Sequence, residues 1–238
     1  MPGYPWLPDR LKVKAKASRD RHDRLRLSRD LPGLVAVSMA SGSAADEIIE
    51  EIPERLRDHI HVTGADAIVA ASAESRRFLV RRFGARRPDR LVDLGSGITS
   101  WTSRVWRDRC SPGSTVISVD DDGEWMARSR EFSSRAGTGD PDFLLREDFL
   151  ERHGTDHFDL VVHDSGSVRD QAKQMTPAFD LVAPGGAIIC DDTHKARIWS
   201  AARSALRRSG YSVWSLREET LDSIGRSALV AMRPSRRA

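Results

Sequence analysis

The stretch that decides the fold reads Leu91-Val92-Asp93-Leu94-Gly95-Ser96-Gly97-Ile98-Thr99-Ser100-Trp101. Four residues of a short buried strand run into two glycines spaced by one residue. A helical segment follows. Glycines permit a tight turn and let a ligand approach the backbone closely. The helix N-terminus beyond them, at Thr99 and Ser100, offers free N–H groups to an anion. By itself this is also what a glycine strand-to-helix turn without a ligand looks like, so the rest of the chain has to decide.

Downstream of Pro88 short β-rich runs alternate with helical ones. The runs predict strands over 91–94, 115–119, 142–145, 158–162, 186–190, 211–216 and 228–232. Val168, Ala172, Met175 and Phe179 line one helical face, and Ile198, Ala202 and Leu206 another. Five βα units closed by a hairpin predict a doubly wound α/β fold. Its seven-stranded sheet is mostly parallel, with the last strand antiparallel.

Upstream, Ile48, Ile49 and Ile52 predict a helix over 43–59, kinked or restarted at Pro53. Ile68, Ala71, Leu79 and Phe83 predict a second, begun at Thr63 or Asp66 and capped by Gly84. The organisation expected is a basic arm over 1–40, a helical cap over 41–86 and a ligand-binding domain over 87–238.

Composition bounds the function. The 238 residues are 39% hydrophobic and 31% charged, with a net charge of +3, as in an ordinary globular chain. No apolar run is long enough to span a bilayer, and no signal-peptide core precedes the charges from Asp9 to Asp30. Cys110 and Cys190 match no disulfide framework or zinc spacing, which fits a cytoplasmic location. Residues 1–30 hold nine Lys/Arg against four Asp, a net +5 that suits either a solvated terminus or an anionic partner. Tyr4 and Trp6 precede the basic run without interleaving, so no base-stacking surface is expected.

Ligands of open α/β sheets sit at the carboxyl ends of the strands. The second predicted strand ends at Asp120, 23 residues after Gly97, where a carboxylate accepts ribose hydroxyls. Asp121 and Asp122 follow and compete for that role. Asp148, after the third strand, accepts from an adenine amino group or caps a turn. A dinucleotide site is the rival, but its third glycine is here Ser100. The fourth strand ends in His163-Asp164-Ser165-Gly166 and the fifth in Asp191-Asp192-Thr193-His194. Adjacent strand ends gather Asp164, Asp191 and Asp192 into one cleft. Three carboxylates there repel unless protonated or bridged by a cation such as Mg²⁺; the alternative is that they cap loops.

Together, Asp93-Leu94-Gly95-Ser96-Gly97, Asp120 and Leu181…Pro184-Gly185-Gly186 resemble the class I S-adenosylmethionine-dependent methyltransferases over about 91–232. The loop from Gly95 to Trp101 and the run from Ser118 to Trp125 resemble a bacterial subgroup acting on small molecules. Asp164 and Asp191-Asp192 resemble the Mg²⁺ ligands of catechol-type O-methyltransferases. The resemblance implies that Asp93, Gly95 and Ser96 shape the methionine pocket, and that Gly97 and Thr99 back its carboxylate. It implies ribose contacts from Asp120, with Asp121 beside it, and an adenine contact from Asp148. Asp164 borders the cofactor and, with Asp191 and Asp192, holds the metal. The lysine base expected three residues after Asp164 is replaced by Ser167, and Lys173 is nine residues on. His194 is then the expected base, acting with Asp164, and His163 the second choice.

The activity expected is methyl transfer to a hydroxyl of a small-molecule acceptor, in secondary metabolism. The alternatives are an RNA or protein methyltransferase gripping its substrate through the basic arm, and a non-catalytic nucleoside-binding protein. Asp164-Ser165-Gly166-Ser167 lacks the aromatic-proline tetrapeptide of base-amine methylation. Nucleic acid is the less favoured partner, no membrane is expected, and a homodimer is left open.

Overall fold

The computed structural model describes residues 43–65, 72–138, 142–223 and 225–235. The arm over 1–40, Asp66 and Ile68 lie outside the described residues. Among the described ones, no helix is long and apolar enough to cross a membrane.

Two helices come first, α1 (Ser43–Thr63) and α2 (Ala73–Arg86). The alternating part follows: β1 (Arg90–Leu94), α3 (Ile98–Cys110), β2 (Thr115–Asp120), α4 (Gly123–Arg135), β3 (Phe143–Leu145), α5 (Arg146–His153), β4 (Phe158–His163), α6 (Val168–Asp180), β5 (Val182–Cys190) and α7 (Ala196–Ser209). Then come β6 (Ser212–Ser215), the four-residue α8 (Arg217–Thr220) and β7 (Leu229–Met232). The seven strands form one sheet in the order β3-β2-β1-β4-β5-β7-β6. β7 runs antiparallel to both β5 and β6, and all other pairs are parallel. The expected sheet is therefore present. The chain leaves β1 toward β2 on one side, while β4 lies on the other, so the switch point falls between β1 and β4.

Each strand alternates its side chains between two cores. Leu91, Val116, Leu160, Val162, Ala187 and Ile189 face a core completed by Ile48 and Ile52 of α1, Leu79 and Val80 of α2, and Trp101 and Trp106 of α3. Val92, Ile117, Val119, Val161 and Ile188 face the other, with Met175 and Phe179 of α6 and Ile198 and Ala202 of α7. Both faces are covered, as a parallel sheet requires.

Four local expectations change. α1 runs through Pro53 to Thr63 as one helix, because Ile48, Ile52 and His59 share its buried face. Thr63 ends that helix instead of starting the next, its hydroxyl donating to the His59 carbonyl at 2.7 Å. Gly84 lies within α2, and the left-handed residue after the helix is Arg87, at φ 42°. β5 begins earlier than predicted, at Val182, because a register shift against β4 between Phe158 and Leu160 absorbs Pro184-Gly185-Gly186.

Candidate active site

The glycine turn is built by two constraints. Gly95 has φ 120°, and a Cβ there would lie 2.3 Å from the Asp164 carbonyl oxygen, so only glycine lets the ends of β1 and β4 meet. Gly97 takes φ 155° as the residue preceding α3. Ser100 closes the turn: its Oγ accepts from the Gly97 N–H at 3.2 Å and donates to Asp93 Oδ2 at 2.8 Å.

Asp120 ends β2 and faces this turn. Its Oδ2 accepts from the Ser96 N–H at 2.8 Å and the Ser96 hydroxyl at 2.9 Å, while Oδ1, among the described residues, takes only the Asp122 N–H at 3.0 Å. A carboxylate oxygen accepts two hydrogen bonds, so Asp120 keeps capacity for a ligand hydroxyl. Trp125 clamps the loop from α4 through Nε1–H to the Ser96 carbonyl, at 2.7 Å. Asp122 caps α4, accepting from the Glu124 and Trp125 N–H groups. Asp121 turns away to Arg146 and to Gln174, whose Nε2 donates at 2.8 Å. Of the three acids, Asp120 alone faces the glycine turn through its hydrogen bonds. Asp148 lies in the first turn of α5, half-buried.

Asp93 is fully buried beneath the turn, with Oδ1 lacking a hydrogen-bond partner among the described residues. Desolvation pushes its carboxyl up to about 7, against the pull of Ser100, Arg76 and Arg104. Arg104 of α3, also fully buried, donates to Ser118 Oγ at 2.7 Å and lies 4.0 Å over the Phe143 ring.

The pleat explains how the acids at β4 and β5 meet. His163 pairs with Cys190 in register, so the next residues, Asp164 and Asp191, sit side by side. Both continue the alternation of Val162 and Ile189, and so point toward α2. There Arg76, 1% exposed, brings Nη2 to 3.2 Å from Asp191 Oδ2 and 4.0 Å from Asp164 Oδ2. Its Nη1 donates to Thr99 Oγ1. Asp164 is held well above the ordinary carboxylate range, by desolvation first and then by Asp191 and Asp192, with Arg76 opposing.

Asp192 does not join them. Its carboxylate pairs with Lys195, and its φ is 58°. Asp191 Oδ1 accepts from the Asp192 N–H at 2.7 Å. Among the described residues no three His, Cys, Asp or Glu side chains converge as metal ligands. The trio expected to hold Mg²⁺ is thus divided between Arg76 and Lys195, and its residues do not fit that ion.

His194 Nδ1 stands 3.7 Å from Asp192 Oδ1, buried and lacking a hydrogen-bond partner among the described residues. Desolvation lowers its pKa from 6.5, against the field of Asp192, which keeps the ring neutral. His163 is structural: its Nε2 meets the Gln171 carbonyl at 3.0 Å, and burial lowers it to about 4. Ser167 caps α6, and the exposed Lys173 lies 3.7 Å from Asp170.

Sequence reasoning missed Arg76 and His59. His59 packs edge-on against Trp125 and Phe132, beside Gly97, with both ring nitrogens buried and lacking hydrogen-bond partners among the described residues. Burial and the charge of Arg76 lower it to about 4. Both were within reach of periodicity. His59 lies seven residues after Ile52, and Arg76 three before Leu79, each on the buried face of its helix.

No family model matches the chain, and no curated protein does. Solved structures do match. The O-methyltransferase TomG from Streptomyces achromogenes, involved in tomaymycin synthesis and in complex with S-adenosylmethionine, is 15% identical, with a TM-score of 0.57. That match covers 90% of this chain and 98% of that one. An O-methyltransferase from Bacillus cereus, in complex with S-adenosylhomocysteine, is 15% identical over 88% of this chain and 98% of its own, with a TM-score of 0.54. The chain has the fold of these S-adenosylmethionine-dependent O-methyltransferases.

Proposed function

We propose that the protein transfers a methyl group from S-adenosylmethionine to a hydroxyl of a small-molecule acceptor. The observation that supports this most is the Asp120 carboxylate facing the glycine turn at the β1 switch point, with one oxygen still able to accept. The residues fit that cofactor. Asp120 suits ribose hydroxyls, and Gly95, Ser96, Gly97 and Thr99 offer a backbone-lined cradle at the N-terminus of α3 for its amino-acid end. Asp93 lies beneath that cradle and Asp164 borders it; Asp148, and Asp121 beside Asp120, are the acids assigned to the adenine and ribose side in this reading. The unpartnered ring nitrogens of His59 supply a further polar contact beside Gly97.

S-adenosylmethionine, when bound, supplies a sulfonium-activated methyl group. The protein's contribution is alignment and exclusion of water. His194, neutral at physiological pH, takes the proton of the acceptor hydroxyl. Asp164, its pKa raised well above the usual carboxylate range by burial and then by Asp191 and Asp192, serves as the partner acid that orients the acceptor oxygen. α1 and α2 lie over the strand ends and shape the acceptor's entrance.

Asp120→Ala should weaken S-adenosylhomocysteine binding by roughly tenfold or more, the loss of one or two hydrogen bonds to a charged group. Asp122→Ala should leave affinity within about twofold while costing about 1 kcal/mol of stability as a lost cap. Calorimetry and thermal melts check both. Equal affinity losses in the two variants contradict the assignment of ribose to Asp120.

A further inference from the structure

We propose that Arg76 is the resident cation of the Asp164–Asp191 pair, occupying the role that a divalent metal plays in catechol-type enzymes, so that this protein works without one. The inference deepens the methyltransferase reading, on which its meaning for catalysis rests.

The geometry supports this from three sides. The guanidinium is buried, comes from a helix outside the alternating βα part, and lies 3.2 Å from Asp191 Oδ2 and 4.0 Å from Asp164 Oδ2. Ser75, its neighbour on α2, also points its hydroxyl at Asp191 Oδ2, at 3.4 Å. Second, Asp191 Oδ1 and the Asp192 carboxylate have partners of their own, the Asp192 N–H and Lys195. Mg²⁺ requires near-octahedral oxygens at roughly 2.0–2.1 Å, and here the guanidinium stands where those oxygens would have to turn. Third, arginine keeps its charge in proteins, so it cannot make room by deprotonating. A buried guanidinium and a dication beside the same two carboxylates would repel.

Through Nη1 and Thr99 Oγ1, Arg76 also ties this acid pair to the first turn of α3. It is a positioning residue that links the cofactor cradle to the acceptor side.

The experiment measures metal binding and stability, not turnover. Mn²⁺ is titrated into the full chain, with and without S-adenosylhomocysteine, and free Mn²⁺ is followed by electron paramagnetic resonance. The wild type should leave the free signal undiminished at millimolar metal, and neither Mn²⁺ nor a chelator should move its melting temperature. Arg76→Ala should melt markedly lower, because it strands a buried carboxylate. Adding Asp191→Asn to it should recover much of the loss, and Arg76→Lys should keep more stability than Arg76→Ala. If Arg76→Ala does not fold, recovery of a folded double variant carries the same information. Stoichiometric Mn²⁺ uptake by the wild type overturns the proposal. So does an Arg76→Ala protein as stable as the wild type, or a double variant no better than the single. A failure to bind S-adenosylhomocysteine would defeat the methyltransferase reading and leave the Mn²⁺ result standing.

Discussion

At the scale of single residues, the site is decided by where carboxylates turn. Asp120, Asp121 and Asp122 are consecutive, yet one faces the glycine turn, one pairs across to α5 and α6, and one caps α4. The sequence left the choice among them open, because side-chain direction depends on partners that arrive from distant parts of the chain. Asp93 shows the same dependence. With its carboxyl raised from 3.8 to about 7, the folded protein binds a proton there that the unfolded chain releases. Stability from this group is complete below pH 3.8 and declines as pH rises toward 7. Asp93→Asn should therefore gain stability over the wild type as pH rises, by on the order of a few kcal/mol across that window. Urea midpoints at pH 5 and pH 8 check this. An identical pH slope in both proteins would show that Asp93 ionises freely. Ser100 is also informative. It stands where a dinucleotide-binding loop has its third glycine, and it spends its hydroxyl on Gly97 and Asp93. The helix–strand contact is thus made by hydrogen bonds instead of bare backbone.

At the scale of elements, the strands and the glycine turn were legible because short β-rich apolar runs and turn residues are local signals. Even β7 was readable as the reversed strand. The packing of α1 and α2 was less so. Their amphipathic pattern was visible in Ile48, Ile52 and Leu79, but not that the same faces would deliver His59 and Arg76 to the strand ends. Nothing in a single sequence marks a polar residue on an apolar helix face as a long-range partner. α1 shares one core with β1, β2 and α3. Ile52→Ala, at a fully buried site, should cost about 2–5 kcal/mol and lower the single unfolding transition. A separate, earlier transition confined to this helix would show that α1 folds as an independent unit.

At the scale of the whole molecule, the doubly wound sheet places the acidic candidates at one edge, the carboxyl ends of β1 to β5. The sequence of residues 1–30 is rich in charge and poor in periodic apolar residues. Deleting residues 1–30, with their net +5, should leave the cooperative thermal transition in place. Loss of that transition on truncation would make the basic segment part of the core. The central claim is that the edge binds S-adenosylmethionine, and calorimetric titration of the wild type with S-adenosylhomocysteine tests it most directly. The account predicts saturable one-to-one binding and a melting temperature that climbs with ligand concentration, since a ligand selective for the native state stabilises it by mass action. An absence of heat, or tight binding of NADH in its place, would contradict it.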